Sequence, residues 1–211
     1  MENLTQEELY YDKGYFVSKI SNEISALLWN EIYTTEWVAD RVENIYKQIP
    51  SWYLVSDYPT VTGQNRGQIE REVGQTLLDR TPETLKYVGS KITTLPELQF
   101  FNTYYRRYNL EFIDMWNGSE EIPYHFDSIN GSDTLILIYL TEQTYWQKEW
   151  GGQISLKKQV GESIIVEDTF NPITGTMLVI NNANPLVKHK ITKLKNNDVN
   201  RYTFSFYYKW F

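Results

Sequence analysis

The sequence predicts a mainly β chain with flanking helices: a β-sandwich core with an N-terminal helical layer packed outside it. Three observations carry that expectation. Apolar residues recur at helical spacing in the first part of the chain, and short β-rich runs separated by turn formers fill the rest. Aromatics reach 16% of the residues, and so many rings need a broad space to fill, such as the interior between two sheets.

The helical layer comes first. Val17, Ile20, Ile24, Leu27, Leu28 and Ile32 recur at intervals of three and four, which places them on one helix face. Val38, Val42, Ile45, Tyr46 and Ile49 repeat the pattern until Pro50 ends it. A third helix is expected with Thr81 as N-cap, Pro82 at its first position and Glu83 in its first turn, followed by Leu85, Val88 and Ile92. Between the second and third helices, residues 56–67 are rich in turn formers and read as a loop.

From about Leu98 the period changes. Strands are expected at 99–108, 134–140, 152–156, 163–166, 176–180 and 201–210. The run 134–140 is apolar throughout, as suits a strand buried on both faces. In 201–210 the pattern alternates: Arg201, Thr203 and Ser205 point to one side, and Tyr202, Phe204, Phe206 and Tyr208 to the other. At 211 residues the chain suits one well-buried core. A single domain is therefore expected over 1–211, with 1–97 mostly helical support and 98–211 the β core.

Composition excludes several functions. A net charge of -7 and a pI near 5.0 argue against a nucleic-acid partner gripped through its phosphates. The absence of cysteine removes disulfides, thiolate metal sites and a cysteine nucleophile, and leaves the redox compartment open. No basic and apolar leader and no membrane span is apparent, so a cytoplasmic, membrane-independent protein is expected. No Gly-rich phosphate loop, nucleophile elbow or HExxH zinc motif occurs, so hydrolase and nucleotide-binding readings have no support. Composition does not specify an oligomeric state.

The chemistry concentrates on the two histidines, His125 and His189. The first belongs to His125-Phe126-Asp127. On an extended strand, residues two apart face the same way, so His125 and Asp127 can offer a nitrogen and a carboxylate oxygen to one point. A third ligand from a distant strand would complete a two-histidine, one-carboxylate triad that leaves metal positions open, and His189 is the remaining candidate. Open positions suit a chelating cosubstrate and dioxygen. A dicarboxylate cosubstrate also needs a cation at its far end, and a guanidinium pairs with a carboxylate through two parallel hydrogen bonds. Arg201 lies twelve residues after His189, with Thr203 on the same face to add a hydroxyl.

These motifs, in this order, resemble the catalytic core of the 2-oxoglutarate/iron(II) oxygenases, specifically the prolyl 4-hydroxylase-like group. The family's His-x-Asp, distal His and Arg-x-Ser/Thr stand here as His125-Phe126-Asp127, His189 and Arg201-Tyr202-Thr203. Between them, Leu137 to Thr141 followed by Trp150-Gly151-Gly152-Gln153 looks like the group's strand and Gly-Gly turn. Pro172-Ile173-Thr174-Gly175 looks like its Pro-x-x-Gly hairpin. The resemblance covers about half the chain, residues 108–210.

It implies a double-stranded β-helix, or jelly roll of the cupin type. It also implies catalysis by iron(II) on His125, Asp127 and His189, with 2-oxoglutarate as cosubstrate, O2 as oxidant and ascorbate as accompanying reductant. Arg201 and Thr203 would hold the cosubstrate's far carboxylate. Trp116 stands where the group often has Tyr, and Ser119-Glu120 where it has a Gly pair, so Tyr104 or Tyr139 is left to supply the pocket's phenol.

The implied reaction is hydroxylation of an unactivated C–H bond, on peptidyl proline first and on a free amino acid or other small metabolite second. A non-catalytic jelly roll that binds metal or ligand is the reading from another class. The loop 56–67 and the stretch 142–150 are expected to border the site, where an open groove would favour a peptide and a closed pocket a small molecule.

Overall fold

The computed structural model describes residues 4–42, 45–51, 79–101, 108–115, 121–127, 133–196 and 198–208. The described residues form two antiparallel sheets. The larger has seven strands in the order β1-β9-β6-β11-β4-β3-β2, and the smaller has four in the order β5-β10-β7-β8. Along the chain these are β1 Tyr15–Lys19, β2 Trp37–Val42, β3 Ile45–Pro50, β4 Tyr108–Met115, β5 Ile122–His125 and β6 Thr134–Leu140. They continue with β7 Ile154–Val160, β8 Ser163–Phe170, β9 Thr176–Asn181, β10 Val187–Ile191 and β11 Arg201–Tyr208. A short helix α1, Gln6–Glu8, opens the described chain, and two longer helices are α2, Asn22–Thr34, and α3, Glu83–Ile92. No described helix is long and apolar enough to cross a membrane.

The larger sheet has its own apolar cluster on each face, which explains why β6 and β11 are buried at every residue. On one face Phe204, Phe206, Tyr208, Ile136 and Ile138 pack under Ile24, Leu28 and Ile32 of α2 and Leu85, Val88 and Ile92 of α3. On the other, Leu135, Leu137, Tyr139 and Tyr207 meet Ile154, Leu156 and Val187 of the smaller sheet. Strand alternation assigns these faces, since successive side chains leave opposite sides of the backbone. Truncating a ring such as Phe204 to Ala would cost about 3–5 kcal/mol, because both layers close over it. At one edge, Asp168 of β8 accepts a hydrogen bond from Tyr15 of β1 at 2.9 Å and pairs with Lys13, tying the two sheets together.

Four expectations need correction. The described residues of 38–49 form no helix: β2 and β3 pair antiparallel, Val42 with Ile45 and Trp37 with Pro50. A spacing of four is even, so it fits strand alternation as well as a helix face, and β-branched Val38, Val42, Ile45 and Ile49 favour the extended chain. Val17 lies in β1 and is exposed, and the helix starts only after Ser21, whose hydroxyl accepts from the Ile24 amide at 3.2 Å. The N-cap of α3 is Pro82, not Thr81, which is buried. Of the strand expected at 99–108, Gln99 to Phe101 are turn residues after a 3-10 turn, Pro96–Leu98, and Tyr108 opens β4, while 102–107 lie outside the described residues.

The described residues before Leu98 also add three strands, β1 to β3, to the larger sheet. Elsewhere the expected strands stand with shifted ends, and 134–140 matches β6 to the residue.

Candidate metal centre

The smaller sheet brings the two histidines together. His125 is the last residue of β5 and pairs with His189 in the middle of β10, so the two rings lie side by side with centroids 4.3 Å apart. Asp127 follows just beyond the strand. Its Oδ1 lies 3.5 Å from His125 Nε2 and its Oδ2 3.6 Å from His189 Nε2. One donor atom from each of the three residues lies within 4.8 Å of the others, and among the described residues no second group of His, Asp and Glu converges this way.

Both imidazoles are prepared to donate a lone pair. The Pro123 carbonyl can only accept, so at 2.8 Å it takes a hydrogen bond from His125 Nδ1 and leaves Nε2 as the ring nitrogen that faces the cluster. His189 is buried, and burial pushes its pKa down to about 4; the Asp127 carboxylate opposes that shift and His125 adds to it. The ring is therefore neutral near pH 7, the form in which imidazole binds metals. Two imidazole nitrogens and one carboxylate, brought together by the fold, fit iron(II) with positions left over for other ligands.

Two neighbours the sequence reading missed hold Asp127. Asn182 donates from Nδ2 to the Asp127 carbonyl at 2.6 Å, and the Tyr207 hydroxyl donates to Asp127 Oδ2 at 3.3 Å. The parity that assigned Arg201, Thr203 and Ser205 to one face of β11 includes Tyr207 and was the signal available for it. Nothing local marks Asn182.

Arg201, Thr203 and Tyr139 form a second group inside the sandwich. Arg201 is 2% exposed, and its guanidinium carbon lies 4.9 Å from the centroid of the Tyr139 ring. Thr203 pairs with Tyr139 across the β11–β6 ladder. The hydroxyls of Tyr139 and Thr203 are buried and have no hydrogen-bond partner among the described residues. Burial raises the Tyr139 pKa against the opposing pull of the Arg201 cation, so the phenol keeps its proton and can donate. An unsatisfied buried hydroxyl costs about 1–3 kcal/mol, and two of them beside a guanidinium suit a carboxylate ligand.

The Gly-Gly turn makes room for that guanidinium. Gly152 has φ +70°, and a Cβ there would stand 3.3 Å from Arg201 Cδ and 3.2 Å from Leu194 Cδ1. Gly151 has φ +72°, and a Cβ there would collide with the Lys193 carbonyl at 1.7 Å. Trp146, within 142–150, donates from Nε1 to the Gly151 carbonyl at 2.8 Å and packs with Leu194 and Val199. Trp146 thus packs on the Gly-Gly turn that itself abuts Arg201. Tyr104, Trp116, residues 119–120 and the loop 56–67 lie outside the described residues.

Comparison with known proteins fits this geometry. Neither a family model nor a curated protein matches the sequence. Solved structures do match in fold. A prolyl 4-hydroxylase from Pseudomonas putida is 15% identical with a TM-score of 0.58, over 98% of this chain and 97% of that one. A 2OG-Fe(II) oxygenase family oxidoreductase from Burkholderia pseudomallei is 12% identical with a TM-score of 0.62, over 97% and 89%. A prolyl hydroxylase from Trichoplax adhaerens, solved with a peptide fragment of the hypoxia inducible factor oxygen degradation domain, is 14% identical with a TM-score of 0.55, over 97% and 86%. The chain has the jelly-roll fold seen in these 2-oxoglutarate/iron(II) oxygenases.

Proposed function

We propose that this chain is an iron(II)- and 2-oxoglutarate-dependent dioxygenase that hydroxylates an unactivated C–H bond, working as one domain with O2 as oxidant and ascorbate as reductant. The observation that carries the reading is the cluster of His125, Asp127 and His189 in a chain with only two histidines. His125 and His189 would each give an imidazole nitrogen to the iron and Asp127 a carboxylate oxygen. Arg201 and Thr203 would receive the far carboxylate of 2-oxoglutarate, with the Tyr139 phenol beside them.

With both bound, the metal and cosubstrate couple oxidative decarboxylation to hydroxylation of the substrate. The chain itself supplies position and shielding. The sheet register aims two lone pairs at one point, burial keeps His189 unprotonated, and the packed sandwich behind Tyr139 and Thr203 excludes water from the cosubstrate's far end. Asp127 keeps a carboxylate among the ligands, which favours hydroxylation over halogenation as the resemblance implies.

For substrate, the reading favours peptidyl proline, supported by the likeness to two prolyl hydroxylases, one of which was solved with a peptide. The test supplies iron(II), ascorbate and 2-oxoglutarate with a panel of proline peptides and free amino acids, and follows succinate and the hydroxylated product. Succinate driven by a proline peptide supports the reading. Stimulation by a free amino acid alone would move the substrate to the small-metabolite class, and no succinate with any substrate would overturn the enzyme reading.

A further inference from the structure

We propose that Tyr207 and Asn182 are positioning residues that hold Asp127 as a one-oxygen metal ligand, an inference that rests on reading the cluster as a metal centre. The three candidate ligands are not supported alike. His125 and His189 are fixed by the β5–β10 ladder, whereas Asp127 lies past the last paired residue of β5. Its restraint comes from across the sandwich. Asn182 directly follows β9 and Tyr207 lies in β11, so both are carried by strands of the larger sheet.

The two contacts do different work. At 2.6 Å from the Asp127 carbonyl, the Asn182 amide fixes the backbone from which the carboxylate swings. The Tyr207 ring is 4% exposed in the core between the sheets, so its hydroxyl reaches Oδ2 from a fixed base. A carboxylate can bind one metal through one oxygen or both. Oδ1 faces His125 and Oδ2 faces His189; a phenol on Oδ2 engages that oxygen and leaves Oδ1 as the one for the metal. One-oxygen binding keeps three positions free on a six-coordinate ion, two for a chelating cosubstrate and one for dioxygen. Chelation by both oxygens would remove one of them.

The test needs no turnover. Cobalt(II) is titrated into the metal-free protein, its Tyr207→Phe variant and its Asn182→Ala variant, with affinity read by calorimetry and coordination by the visible ligand-field bands. Tyr207→Phe keeps the ring and removes only the hydroxyl. Each variant should bind cobalt at least about tenfold more weakly than the parent, a usual effect of losing a ligand-orienting partner. Tyr207→Phe should also shift the bands toward a higher coordination number, while the metal-free melting temperature stays within about 2 °C of the parent.

A Tyr207→Phe protein that binds cobalt within twofold of the parent, with the same spectrum, would overturn the inference and leave the metal centre standing. If that variant fails to fold, the affinity of Asn182→Ala decides by the same criterion. A parent protein that binds no cobalt would overturn both the metal centre and this inference.

Discussion

Thr203 on β11 is the ladder partner of Tyr139 on β6, and both side chains end in buried hydroxyls with no hydrogen-bond partner among the described residues. Folding alone gives no return for burying them, so they are where ligand binding and stability should separate. Thr203→Val has the same shape and removes a buried polar group, so stability should be unchanged or rise by up to about 1 kcal/mol. Cosubstrate affinity should fall at least severalfold. Chemical denaturation and anaerobic calorimetry with 2-oxoglutarate check the two halves.

Arg201 carries the charge for the same end of the pocket. Arg201→Ala should raise the 2-oxoglutarate concentration needed for half-saturation by about 10–100-fold, the worth of a charge-assisted contact to a carboxylate, while metal affinity changes little. Arg201→Lys should recover part of the loss, since it restores the charge without the planar fork. Cosubstrate dependence of succinate formation, or direct binding where no substrate is known, measures both.

Gly152 shapes the space for that arginine. In Gly152→Ala the new methyl would meet Arg201 Cδ at 3.3 Å, at a φ of +70° that side chains rarely adopt. Stability should fall by about 1–2 kcal/mol, and 2-oxoglutarate affinity should weaken with it because the guanidinium is displaced. Gly151→Ala should be worse for folding, since its methyl would overlap the Lys193 carbonyl. Denaturation midpoints rank the two.

The buried His189 ties stability to pH in the metal-free protein. Its folded pKa is about 4, below its ordinary 6.5, so the unfolded chain takes up this proton first as pH falls. Stability should therefore be lost as pH drops from about 6.5 toward 4 and change no further from this group below that. His189→Gln, which cannot titrate, should flatten this part of the profile. Melting temperatures across pH 4–8 without metal provide the check.

The sequence was most legible where one pattern decided the matter. The unbroken apolar run of β6 and the alternation of β11 follow from strand geometry alone, and they correctly give a β6 buried on both faces and a β11 whose side chains divide between two faces. The pairing of β2 and β3 was misread because a spacing of four satisfies both periods. In the site, scarcity singled out the two histidines, and the His-x-Asp triplet supplied Asp127. The residues that hold Asp127 were hidden because they lie 55 and 80 positions away in the chain and reach it only through the stacking of two sheets. No local period reports a contact of that range.

His125, Asp127 and His189 are proposed to build a metal centre on which 2-oxoglutarate binds. Anaerobic calorimetry of 2-oxoglutarate with and without iron(II), in the parent chain and in His189→Ala, tests it without knowledge of the substrate. Metal-dependent binding is expected in the parent and its loss in His189→Ala, whose iron affinity should fall by more than about 100-fold. Binding that is absent from the parent, or equal with and without iron, would contradict it.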